Sequence, residues 1–100
     1  MKYTKEHGDG YPLLILCERC EFDEFYKMAN TLQKELNIVF VNKIDDFDSI
    51  YWEFKFEDRE LILHYNIYLG VSVYPKLVKK FTSEDEYSID KFANNLSKIQ

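Results

Sequence analysis

Apolar and polar residues alternate along this chain in three rhythms. The unbroken run Leu13-Leu14-Ile15-Leu16-Cys17, following Pro12, predicts a buried strand. From Asp23 to Leu36 the rhythm becomes helical, with Phe22, Phe25, Ala29, Leu32 and Leu36 falling on one face. Asp23 and Glu24 suit the positive end of that helix, and Asn37 is placed to end it in the left-handed conformation. Ile38 to Val41 is β-branched and predicts a second strand.

Alternation with a period of two then takes over. In the run from Tyr51 to Glu57, Trp52, Phe54 and Phe56 point to one side, and Tyr51, Glu53, Lys55 and Glu57 to the other. After a turn near Glu57-Asp58, Leu61, Leu63 and Tyr65 continue the inner face, with Glu60, Ile62 and His64 opposite. Beyond a turn near Asn66, Leu69, Val71 and Val73 are expected inside, and Tyr68, Gly70, Ser72 and Tyr74 outside. A final helix of about Ser88 to Lys98 carries Ile89, Phe92, Leu96 and Ile99; an acid three residues after Thr82 and after Ser83 allows an earlier start.

The order is therefore β-α-β-β-β-β-α, an α+β fold with a mixed or antiparallel sheet and two helices packed mainly on one face. Residues 1–10, ending in the turn signal Gly8-Asp9-Gly10, read as a loose arm on a single domain spanning 1–100. Two helices are too few to cover both faces of such a sheet. The other face then carries Tyr51, Glu53, Ile62, His64, Tyr68 and Tyr74, a mixture of aromatics and acids suited to protein recognition and also usual on solvent-facing strands.

Composition narrows the function. Eight Tyr, eight Phe and one Trp in 100 residues exceed what one small core can hide. A net charge of −5 opposes direct nucleic-acid binding, which needs surplus Lys and Arg, and favours a basic protein partner. No apolar run is long enough for a membrane span and the N-terminus has no secretory pattern, so a cytoplasmic protein is expected. The densest charge lies between Ile44 and Glu60, where Asp45, Asp46, Asp48, Glu53, Glu57, Asp58 and Glu60 face only Lys55 and Arg59, seven acids against two bases. Lys76, Lys79 and Lys80 beside Glu84-Asp85-Glu86 make a mixed-charge surface.

Candidate chemistry is sparse. Cys17-Glu18-Arg19-Cys20 lies between a strand and a helix, where a thioredoxin-like pair would sit. Such a fold needs a further helix that the later strands leave no room for, and the flanking acids oppose thiolate formation. As a zinc site the pair lacks two ligands, since only His7 and His64 remain. Asp45-Asp46-Phe47-Asp48 lacks the glycine and distal glutamate of an EF-hand. His64 with Glu53 or Glu60 is the sole general-base arrangement on offer, and no phosphate-binding loop or hydrolase motif occurs. No cofactor, metal or catalytic residue is expected.

The segment YWEFKFEDRELILHYNIYLGVSVYP, Tyr51 to Pro75, resembles the strand meander of small bacterial immunity proteins from polymorphic and contact-dependent toxin systems. The likeness rests on W-x-F-x-F, then L-x-L-x-Y, then Y-x-G-V-x-V. It implies stoichiometric binding of a cognate protein toxin, in many such systems a nuclease with a basic cleft. The expected contact residues come from the surface pattern alone: Asp45, Asp46, Asp48, Tyr51, Glu53, His64 and Tyr68. Alternatives are an adaptor or homodimerisation domain and a CxxC thiol oxidoreductase.

Overall fold

A computed structural model describes residues 1–8, 10–76 and 82–99. The strands are β1 (Thr4–Gly8), β2 (Tyr11–Cys17), β3 (Phe40–Asp45), β4 (Ser49–Phe56), β5 (Arg59–Asn66) and β6 (Gly70–Pro75). The helices are α1 (Phe22–Leu36), between β2 and β3, and α2 (Ser83–Leu96), after β6. All six strands form one antiparallel sheet in the order β1-β2-β6-β5-β4-β3. The expected α+β order is present, with one strand added in front of it.

That addition corrects the reading of residues 1–10 as a loose arm. Thr4 to Gly8 pair with Ile15 to Tyr11, and Lys5 and His7 reach across to Glu86 of α2 at 2.8 and 3.0 Å. Lys5 also binds Asp90 at 2.6 Å. Because Lys5 and His7 donate to it, the Glu86 carboxyl is held below its usual range. A short polar strand has little apolar signal of its own, so pairing and ion contacts decide its state.

Both helices lie on one face. Phe25 of α1 meets Trp52 and Tyr65 edge-on at 5.1 and 6.4 Å. Phe92 of α2 packs on Phe54 and Phe56 at 5.4 and 5.2 Å. Around these rings Leu14, Leu32, Leu61, Leu63, Val71, Val73, Ile89 and Leu96 are wholly buried, and together they form the core. The opposite face carries Tyr11, Leu13, Ile15, Tyr51, Glu53, Ile62, His64, Ser72 and Tyr74, each half-buried and none beneath a helix. Among the described residues, the sheet is therefore covered on one side only.

Boundaries follow local chemistry. Asn37 closes α1 at φ 57°, as its place in the sequence predicts. The earlier of the two starts open to α2 is taken: the Thr82 amide donates to the Asp85 carboxylate at 2.9 Å, the return half of a capping box. Phe22, expected on the buried stripe, opens α1 with 37% of its surface exposed. The second strand begins at Phe40, two residues after Ile38, and runs to Asp45. Glu57 turns β4 into β5 at φ 56°, taking the conformation a glycine usually supplies. Among the described residues no helix is long and apolar enough to cross a membrane.

Candidate functional site

Antiparallel pairing sends three connections to the same end of the sheet. They are the β2–α1 link (residues 18–21), the β3–β4 turn (46–48) and the β5–β6 turn (67–69). Backbone bonds tie them together. Asp46 donates to the Ser49 carbonyl at 2.7 Å, and Ile67 donates to the Asp48 carbonyl at 3.2 Å. Asn66 joins the same knot, its side-chain amide donating to Ser49 Oγ at 3.2 Å and its Oδ1 accepting from the Tyr68 amide at 2.8 Å. The Tyr65 hydroxyl donates to the Cys20 carbonyl at 2.8 Å.

Gly70 locks the β5–β6 turn against the β2–α1 link. It stands at φ +89°, and the space where a side chain would begin is already filled by the Cys17 carbonyl oxygen, 2.0 Å away. A residue at positive φ directly after the turn is the usual way to close a three-residue hairpin loop.

On this frame sit side chains that burial would ordinarily claim. Phe47 is 97% exposed, Tyr68 75% and Leu69 71%, with Ile67 at 41% beside them. The connections and the residues flanking them also carry carboxylates: Glu18, Glu21, Asp23, Asp45 and Asp46 are exposed, and Asp48 is half-buried. Among the described residues, none of these six takes part in a salt bridge, and Arg19 is the cation within the three connections. Grooves run between the connections. One is bounded by Arg19, Phe22, Tyr65 and Ile67, and another of about 360 Å³ leads from Tyr68 and Leu69 onto Leu13 and Ile15 of the open face.

The anticipated contact residues divide between two places. Asp45, Asp46, Asp48 and Tyr68 come together at the loop end. Asp45 is additionally held, accepting the Trp52 indole N–H at 2.8 Å. Tyr68 corrects its expected position on the open face, because it lies in the turn beyond the end of β5. Leu69 is corrected for the same reason: the inward alternation starts only at Val71, past Gly70.

Tyr51, Glu53 and His64 sit on the open face. Tyr51 stacks flat on His64 at 4.4 Å, and Tyr74 meets the imidazole edge-on at 5.7 Å. Burial pushes the His64 pKa down, and its Nε2 has no hydrogen-bond partner among the described residues. Glu53 is engaged elsewhere, by Lys76 at 2.7 Å and Asn42 at 3.2 Å. An imidazole paired with Glu53 as a general base is thus not formed.

The acidic stretch from Ile44 to Glu60 likewise splits. Glu57 binds Lys91 at 2.8 Å and Arg59 binds Glu84 at the far end of the sheet, so their charges are largely answered. Among the described residues, Asp45, Asp46 and Asp48 at the loop end and Asp58 in the β4–β5 turn form no salt bridge. Of the basic cluster, Lys79 and Lys80 lie outside the described residues, as does Asp9 of the glycine turn.

The two cysteines are free thiols. Burial, then the neighbouring Cys17, pushes the Cys20 thiol up to about 12, away from the thiolate that disulfide exchange requires. Cys20 instead closes the bend, its thiol donating to the Cys17 carbonyl at 3.5 Å.

The chain belongs to a family described as a protein of unknown function, DUF3630, whose profile matches residues 1–94. No curated protein and no solved structure matches the chain. The family description assigns no role to any residue, so the site rests on its geometry.

Proposed function

We propose that this protein binds a basic protein partner through its loop end, and that the partner is a toxin which it neutralises as an immunity protein. The observation that carries the reading is a loop end that exposes Phe47, Tyr68 and Leu69 together with carboxylates that have no salt-bridge partners among the described residues. Exposed aromatic side chains with charged neighbours are the composition of a recognition patch, and tyrosine is among the residues enriched where such patches concentrate their binding energy. The carboxylates steer a basic surface toward it. The hydrogen bonds that knit the three connections hold the tip in place before binding, which lowers the ordering cost of association.

The toxin assignment draws on the likeness of the Tyr51–Pro75 meander to immunity proteins. A nuclease cleft built to hold phosphates presents Lys and Arg, and carboxylates placed there take the position of the substrate's charges.

The experiment joins capture to protection. Tagged protein is used to recover its partner from the native cytoplasm, and the partner gene is then expressed alone and with this chain. Wild type is expected to restore growth, while the double variant Phe47→Ala with Tyr68→Ala, lying on exposed turns, folds but fails to protect. Recovery of a partner whose expression is harmless, or protection undiminished by the double variant, would overturn the reading.

A further inference from the structure

The sheet has two free edges, and they are built differently. β1 closes one edge with charges answered by α2. β3 closes the other, and from Val41 to Asp45 every residue is exposed, including Val41 at 64% and Ile44 at 55%. Among the described residues no strand pairs with its outer side. An open edge with exposed aliphatic residues is a template for another strand.

The β3–β4 hydrogen bonds determine which backbone groups of β3 are free. Asp46 bonds to Ser49 and closes the hairpin, so alternate residues Ile44 and Asn42 also turn their amides toward β4. Lys43 and Asp45 therefore direct their N–H and C=O groups outward. Their side chains share the helix-covered side of the sheet, where both are held by Trp52. Lys43 Nζ lies 4.3 Å above the indole ring, and Asp45 accepts the indole N–H at 2.8 Å.

We infer that β3 pairs with β3 of a second copy of this chain, antiparallel about a two-fold axis at Ile44. In that register Lys43 faces Asp45 of the other copy, and symmetry repeats the pair. Each pair exchanges two backbone hydrogen bonds, and Ile44 meets its own counterpart on the opposite side. Shifting the register to centre on Lys43 sets lysine against lysine, and centring it on Asp45 sets carboxylate against carboxylate. Like charges directly opposite are destabilising, so electrostatics selects the central register. The product is a twelve-stranded sheet, each copy contributing six strands. An isologous contact of this kind closes after two copies.

The inference goes beyond toxin binding and is tested with this chain alone. Sedimentation over a concentration series is expected to show wild type rising from 12.1 kDa toward twice that mass. Lys43→Glu, which leaves the bond between Asp45 and Trp52 intact, is expected to weaken the dimer at least about tenfold by setting carboxylates opposite one another twice. Asp45→Lys is expected to do the same by opposing lysines, and the double variant K43E/D45K restores the dimer. Thermal melts confirm that each variant is folded. A wild type that stays monomeric, single variants that dimerise as wild type does, or a folded double variant that stays monomeric would each overturn the inference.

Discussion

Gly70→Ala is expected to lose at least about 2 kcal/mol of stability and to separate the β5–β6 turn from the β2–α1 link. Two effects combine there. A side chain at φ +89° costs about 1–2 kcal/mol by itself. The new Cβ would also stand 2.0 Å from the Cys17 carbonyl oxygen and 3.0 Å from Glu18 Cα, both backbone atoms that no rotamer change can move. Gly10→Ala is the natural comparison, since Gly10 has a similar φ of +84° but open space around it. It should show the conformational part alone. Urea unfolding of the two variants measures the difference, and equal losses would mean that the turn yields freely at Gly70.

Phe92→Ala is expected to cost about 3–5 kcal/mol, as removal of a fully buried aromatic ring usually does. Phe92 is wholly buried and touches both Phe54 and Phe56, so its loss opens a void between α2 and β4. Domains of this size are stable by about 5–15 kcal/mol, which makes the change a large share of the total. Chemical denaturation reads it directly; a loss under about 1 kcal/mol would show that the helix-covered side collapses to fill the gap. Tyr87 of the same helix, 66% exposed, should tolerate Ala with little change.

These two residues differ in how legible they are. Phe92 announces itself through its spacing from Ile89 and Leu96, because a helix with one apolar stripe must bury that stripe somewhere. The same logic placed Phe25, Ala29 and Leu32 inside and left one side of the sheet bare. Gly70 carries no such signal. Its role depends on the Cys17 backbone, which sequence separation hides and only the pairing of β2 with β6 brings near.

The candidate site shows the same division. Asp45, Asp46 and Asp48 are conspicuous as an acidic run, and Tyr68 as a tyrosine beside a turn. Their convergence with Glu18 and Glu21 is a property of antiparallel topology. Strand alternation placed Leu69 inside because the rule has no means of knowing that the strand begins one residue later, at Gly70. Phe47 lies inside the acidic loop, and nothing in its local pattern gives the 97% exposure that the fold leaves it. Residues 4–8 failed for the opposite reason: Thr-Lys-Glu-His-Gly has too few apolar side chains to look like a strand.

Glu53 and His64 illustrate a further limit. Both stood out by type, yet Lys76 occupies the glutamate and burial depresses the imidazole. A residue's reactivity is set by its neighbours, and those neighbours come from β3, β4, β6 and Lys76 just beyond β6.

The central claim is that unanswered carboxylates at the loop end draw in a basic partner. Its most direct test is the association rate of the recovered partner across a salt series. Wild type is expected to associate more slowly as salt rises, because screening shortens the reach of the field to about 8 Å at physiological ionic strength. Reversing Asp46 and Asp48 to Lys should slow association at low salt and flatten that dependence. An association rate that neither salt nor the two reversals alter would contradict the account.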